Sequence, residues 1–213
     1  MLDNDGNAAA WGEWWAGVGR RQNDLVALTL GTGIGGGIVL DGRILHGHFE
    51  NAAEIGHTIV VPGGRPCRCG QQGCLERYAS ASAVAERVRE GIEAGRGEAV
   101  LEAVGSPDRV DARVVAEWAR KGEPLCAEVW DEACRLLAAA CVNIQHVLNP
   151  AWVVLGGGLA EAGALLTERV RAHLDRLVWR LHDDRPQIAT ASLGYDAGMI
   201  GAAALIWHEK ETK

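Results

Sequence analysis

Residues 25–40 read LVALTLGTGIGGGIVL, an apolar run, a glycine-rich turn and a second apolar run. Leu25–Leu30 and Gly35–Leu40 each have strand length and are bounded by glycine, which predicts two strands joined by a glycine turn. Asp41-Gly42 is a hairpin signal leading into a third strand at 43–46. A second unit stands at 152–158, WVVLGGG. There a buried strand meets three glycines and then a helix predicted over 159–178. Between these units, Leu125, Val129, Ala133, Leu136, Ala140, Ile144 and Leu148 fall three and four apart. That spacing predicts a long helix over 124–148 with one apolar face, stopped by Asn149-Pro150. Further helices are predicted over 6–19, capped by Asn4 or Asp5, and over 80–94, 111–120 and 198–209. Strands are predicted at 57–61 and 187–191, and 62–74 is read as a loop. Strand–glycine turn–helix units set among helices indicate an α/β or α+β architecture.

Composition narrows the functional classes. The 213 residues carry 21 Lys+Arg against 28 Asp+Glu, a formal net charge of −7, with 48% apolar and 23% charged residues. That balance suits a soluble globule able to bury a real core, and it argues against a nucleic-acid surface within the chain. No stretch reaches the roughly 18 uncharged apolar residues of a membrane span. The first ten residues, MLDNDGNAAA, lack a basic segment followed by an apolar run, so no signal peptide is expected and the cytoplasm is the expected compartment.

Six cysteines are present, and three of them, Cys67, Cys69 and Cys74, fall close together. With His57 they form H-x9-C-x-C-G-x2-G-C, a Cys3His set of the kind zinc binds in a tetrahedron. Gly70 and Gly73 allow the tight turns that would aim Cys69 and Cys74 at one ion. A disulfide is the competing reading. It is weakened because adjacent C-x-C cysteines close a strained ring and three thiols leave one unpaired. Cys126, Cys134 and Cys141 lie on the long predicted helix and read as small buried apolar residues.

The glycine loops are less specific. Gly31-Thr32-Gly33-Ile34-Gly35-Gly36-Gly37 follows a strand and can turn backbone N–H groups and the Thr32 hydroxyl toward a phosphate. No Gly-Lys-Ser/Thr follows it, and a plain glycine hairpin accounts for it equally well. Gly156-Gly157-Gly158, between strand and helix, has the geometry of a nucleotide turn, although crossovers also use glycine merely to turn. Asp5 reads first as an N-cap, and Glu54 and Glu76 as solvated carboxylates. A zinc ion fixing 57–74 would instead hold Glu54 and Glu76 beside it, where rigid carboxylates suit sugar hydroxyls.

Taken together, these motifs resemble the ROK family (repressor, open reading frame, kinase), and within it the bacterial glucokinases. Asn4-Asp5-Gly6-Asn7-Ala8-Ala9-Ala10 resembles the family's N-D-A-N-A-A-A segment, and Leu30–Gly37 its second phosphate loop. Glu54-Ile55-Gly56-His57 followed by Cys67-x-Cys69-Gly70-x2-Gly73-Cys74-x-Glu76 resembles its signature and zinc motif, and Val153–Gly158 its adenosine turn. The resemblance runs from Leu2 to Trp207. It implies an actin-like, ribonuclease-H-like α/β sugar kinase fold. Residues 1–20 would be a remnant of the small N-terminal domain with the interdomain catalytic segment. Residues 21–197 would form the large domain, with its zinc loop at 57–74, and 198–213 a C-terminal helix returning toward the small domain.

The resemblance also implies roles. Asp5 would be the general base of hexose phosphorylation by ATP, most simply glucose to glucose 6-phosphate. Asn4, Asp5, Glu54, His57 and Glu76 would bind the sugar. Gly31, Thr32 and Gly33 would meet the ATP phosphates, and Gly156, Gly157 and Gly158 the adenosine. His57, Cys67, Cys69 and Cys74 would hold a structural zinc, with Mg²⁺ arriving on ATP. The same motifs fit the sugar-sensing domain of a ROK transcriptional repressor. The family's Asp-x-Gly-x-Thr hairpin has no match here, so a chain lacking roughly the first third of the fold is expected, binding zinc and sugar but phosphorylating weakly on its own. Exposed apolar surface on helix 198–209 and a homodimer or higher oligomer are expected with it.

Overall fold

The computed structural model describes residues 3–20, 22–178 and 185–211. The ends of the expected segments at 1–2 and 212–213 lie outside them. A five-stranded sheet has the order β3-β2-β1-β4-β5, built from β1 (Leu25–Leu30), β2 (Ile34–Leu40), β3 (Arg43–Ile44), β4 (Trp152–Gly156) and β5 (Gln187–Thr190). β1 and β2 form an antiparallel hairpin in which Leu30 pairs with Ile34. β1 and β4 are parallel, with Thr29 opposite Gly156, and β4 and β5 are parallel as well. The mixed α/β reading therefore holds.

β1 is apolar on both sides because both faces of the sheet are covered. Its Val26, Leu28 and Leu30 join a large core with Val153 and Leu155 of β4 and with the apolar faces of α3 (Ala81–Glu93), α5 (Ala112–Arg120), α6 (Pro124–Leu148) and α7 (Ala164–Leu177). The alternate residues Leu25 and Ala27 pack with Ala10 of α1 (Asp5–Trp15) and Val154. α8 (Ala197–Glu211) lies along α1, where Ala204 and Leu205 bury with Trp11 and Val39. Period-two alternation thus splits each central strand between two helical layers. On α8, Met199, Ile206 and Trp207 are exposed.

α6 follows the sequence pattern closely. Leu125, Val129, Ala133, Leu136, Ala140 and Ile144 are buried, and the helix is capped by the Glu123 carboxylate, which accepts from the Cys126 N–H. Asn149 ends it with φ 46°, a left-handed position suited to asparagine. Cys126, Cys134 and Cys141 are buried, and burial pushes each thiol up to about 12.

Other predicted elements differ. His57–Val61 is not a strand: a 3-10 turn at Ile55–His57 is followed by a single bridge from Ile59 to Cys74, and Ile59 is half exposed. The N–H groups of Val60 and Val61 both donate to the Gly73 carbonyl, so the segment pairs with the cysteine loop and never reaches the sheet. The helix predicted over 159–178 is broken. A 3-10 turn spans Gly158–Ala162, and Gly163, at φ 60° and ψ −126°, separates it from α7. Only glycine takes that backbone conformation readily. The predicted 6–19 helix stops at Trp15, the strand at 43–46 is two residues long, and α2 (Glu76–Ala79) and α4 (Glu98–Val104) come from segments the pattern did not mark.

Of the glycine run, only 31–33 form the turn; Gly35, Gly36 and Gly37 lie inside β2. Their smallness serves packing. A Cβ on Gly36 would stand 2.3 Å from the Ala53 carbonyl oxygen, and one on Gly37 would stand 2.5 Å from both the Ala10 Cβ and the Gly6 carbonyl oxygen. The sheet backbone is therefore the direct seat of α1. Gly37→Ala is expected to lower stability by about 1–3 kcal/mol through overpacking, read as a lower urea midpoint. Gly31→Ala, whose Cβ meets nothing within 4 Å, should leave the midpoint unchanged.

Candidate active site

His57, Cys67, Cys69 and Cys74 converge: one donor atom from each lies within 4.8 Å of all the others. Cys69 Sγ and Cys74 Sγ are 3.6 Å apart, and Cys67 Sγ is 3.7 Å from His57 Nδ1. A disulfide requires about 2.05 Å, whereas tetrahedral zinc with 2.3 Å Zn–S bonds spaces its sulfurs by about 3.8 Å. All six cysteines are free. The donor set and its spacing fit a Cys3His zinc site. The loop is framed by backbone bonds from Cys67 N–H to Gln71 O and from Gly73 N–H to Arg65 O. A backbone hydrogen bond at Gln71 brings the Cys69 thiol down to about 7, while burial pushes Cys74 up to about 12.

The segments that carry the predicted sugar-site residues meet β2 along its first half. Gly6 of α1 meets the Gly36 carbonyl, and Ala53, just before Glu54, sits on Gly36 from another side. Gly56 of the Glu54–His57 turn packs on the Ile34 carbonyl, where a Cβ would stand 2.2 Å away. The Glu76 carboxylate accepts from the Ile34 N–H at 3.0 Å, and a Cβ on Gly33 would stand 2.3 Å from its Oε2. Glu76 Oε1 lies 4.0 Å from Cys67 Sγ, so this acid joins the cysteine loop to the glycine turn. Because His57 turns Nδ1 toward the thiols, its Nε2 points away from them. Asn4, not Asp5, caps α1, accepting from the Gly6 N–H at 2.8 Å. Asp5 is exposed at the first helical position, where the positive end of the helix dipole favours a carboxylate.

The two glycine turns are neighbours because β1 and β4 are parallel and adjacent. Both turns leave the carboxyl ends of their strands, at the point where the chain departs in opposite directions along the sheet, the usual ligand crevice of such sheets. Gly157, at φ 82°, lies against Leu30, where a Cβ would stand 2.7 Å from the amide nitrogen, while Gly31 and Gly158 face open space. Thr32 and Gly158 line one cavity of about 260 Å³ with Ser82, Arg89, Arg113 and Tyr195. Asp5 lines another, of about 230 Å³, with Thr29, Gly156, Gly157 and Tyr195. Glu76 shares a third, of about 460 Å³, with Thr32, Gly33 and Arg68. Asp5 and Glu76 therefore reach the glycine turns from different cavities.

Sequence reading missed Arg89, Arg113 and Tyr195. Arg89 donates twice to the Val110 carbonyl and has no carboxylate within ion-pair distance among the described residues. Arg113 and the Tyr195 hydroxyl meet the two oxygens of Glu161. None sits in a local motif, since each acquires its neighbours only through the crossings of α3, α5 and the β5–α8 turn.

Comparisons with known proteins bear on the fold and the family. The chain is 39% identical over 206 residues to a glucokinase of Thermotoga maritima, covering 97% of this chain and 65% of that protein. It is 26% identical to a xylose repressor of Caldicellulosiruptor bescii, covering 96% of this chain and 51% of the repressor. A solved ROK glucokinase of Streptomyces griseus, in complex with glucose and AMPPNP, superposes with a TM-score of 0.84 at 36% identity over 96% of this chain and 67% of that one. The fold is thus the actin-like, ribonuclease-H-like α/β fold of ROK sugar kinases. The ROK family model itself matches residues 1–209, and with the cysteine loop and both glycine turns in place the chain belongs to the ROK family.

Proposed function

We propose that this chain serves the ATP-dependent phosphorylation of a hexose, most simply glucose to glucose 6-phosphate. The observation that carries the reading is the cavity that Asp5 shares with Gly156 and Gly157, which sets a free carboxylate beside a nucleotide turn. In this reading Asp5 takes the proton of the attacking sugar hydroxyl as its oxygen reaches the γ-phosphorus. Asn4, Glu54, His57 through Nε2, and Glu76 hold the remaining hydroxyls. Backbone N–H groups of Gly31–Gly33 and the Thr32 hydroxyl receive the phosphates, and Gly156–Gly158 the adenosine. Phosphoryl transfer asks mainly for positioning and charge compensation, which a carboxylate, the turns and the Mg²⁺ on ATP can supply. Zinc at His57, Cys67, Cys69 and Cys74 would be structural, fixing the loop from which His57 and Glu76 reach the sugar.

The similarity to the xylose repressor supports a second reading, a sugar-sensing domain. Nucleotide binding separates the two. A calorimetric titration of the zinc-loaded chain with glucose and with MgADP should show one site for each. Glucose binding without MgADP binding would favour the sensing domain and overturn the kinase.

A further inference from the structure

We propose that Glu13 is a positioning residue whose buried carboxylate clamps the turn between β5 and α8 to the helix carrying Asp5. The inference rests on the kinase reading above. Glu13 is only 2% exposed. Its Oε1 accepts from the Leu193 N–H at 2.7 Å, and its Oε2 accepts from the Ser192 hydroxyl and the Val18 N–H, each at 3.0 Å. It has no ion-pair partner among the described residues, so three neutral donors compensate the whole charge. A Cβ on Gly17 would stand 2.0 Å from Oε2, so a glycine is needed where the carboxylate folds beneath the end of its own helix.

Ser192 and Leu193 lie 179 and 180 residues along the chain from Glu13, so these two bonds are tertiary links between α1 and the turn, while the Val18 bond is local. Asp5, Ala9 and Glu13, each four residues apart, form one stripe of α1 and line one wall of the Asp5 cavity. Gly194, Tyr195 and Ala197, directly after the clamped residues, line the same cavity beside Gly156 and Gly157. Glu13 therefore fixes how far the helix bearing the base stands from the nucleotide side. A buried carboxylate without a cation is costly, and charge-assisted bonds to a short turn give it a tight geometry in return.

Two variants of the zinc-loaded chain test the clamp. Glu13→Gln keeps volume but cannot accept from all three donors. Ser192→Ala removes one donor while leaving both N–H groups. Hydrogen exchange should quicken about tenfold or more at amides 193–198 in Glu13→Gln, less in Ser192→Ala, with amides 25–30 unchanged. MgADP affinity should weaken about tenfold in Glu13→Gln while glucose affinity and zinc content hold. Unchanged exchange at 193–198, or faster exchange spread over the whole chain, would overturn the clamp. Native MgADP affinity in Glu13→Gln would overturn its positioning role alone. A native chain that takes up no MgADP would overturn the kinase reading and that role together.

Discussion

Cys74→Ser should strip the chain of zinc, lowering affinity by more than the 10–100-fold that loss of a merely supporting partner costs. The side chain is fully buried with its sulfur 3.6 Å from that of Cys69, and a serine hydroxyl cannot replace a thiolate on zinc at neutral pH. Metal analysis of the purified chain should find about one zinc per native molecule and next to none in the variant. The structural consequence should be local. The main core, from β1 and β4 through α6, is far larger than the part of it that meets the loop, at Val60, Val61 and Leu75, and the loop keeps backbone bonds such as Leu75 N–H to Thr58 O. The ends of that frame remain while its middle, rich in glycine and arginine, is released. Trypsin should then cut after Arg68 in Cys74→Ser, or in the native chain after chelation, and spare the zinc-loaded native chain; Arg65, followed by Pro66, stays uncut. Cys126→Ser, on α6, should keep its zinc. Full zinc in Cys74→Ser would remove the basis for treating 57–74 as a metal loop. Affinity should also fall toward acid, because protons compete with the metal for the thiolates.

Features legible in the sequence are those whose cause is local. The α6 pattern needs only 3.6-residue periodicity, and β1 and β4 announce themselves as short apolar runs closed by glycine. The metal loop reads from spacing because four donors from one short stretch need little help from the rest of the fold. The misread segments were decided by distant partners. Ile59, Val60 and Val61 have strand-forming side chains, yet the Gly73 carbonyl takes two of their amides. Gly163 lies within an otherwise helical pattern, and its conformation was not visible there. The run Gly35–Gly37 reads both as the start of a strand and as part of the glycine loop; it lies in the strand, and its smallness serves packing, because α1 and residue 53 press there. Asp5, Glu54 and Glu76 are candidates through their motifs alone. Glu13, an acid among alanines and tryptophans, has no local signature, since its meaning lies 180 residues away.

Asp5→Asn should lower the rate of phosphoryl transfer by about 10²–10⁴-fold, the usual worth of a positioned general base. The substitution removes one acceptor and almost no volume. It also spares the helix cap, which belongs to Asn4, and it breaks no hydrogen bond or ion pair that the Asp5 side chain makes to the described residues. Stability should fall by no more than the ~0.3–1 kcal/mol of the lost helix-dipole interaction. Zinc content and MgADP affinity should stay native, and glucose affinity should change little beyond one hydroxyl contact. The loss should appear in the chemical step and not in binding. A single-turnover experiment suits this chain: γ-labelled ATP below the protein concentration, excess glucose and Mg²⁺, with labelled glucose 6-phosphate followed in time. That design registers transfer even where turnover is slow. A competing account makes Asp5 only a sugar ligand, and the two separate on which parameter moves. A ligand role predicts weaker glucose binding with the rate restored at saturating glucose. A base predicts a low rate that saturation does not repair, because no other carboxylate stands on the stripe of α1 facing Gly156 except Glu13, whose oxygens are occupied by three donors. An Asp5→Asn chain transferring phosphate at the native rate would move the proton acceptor elsewhere and leave the cavity between α1 and the nucleotide turn a binding site alone.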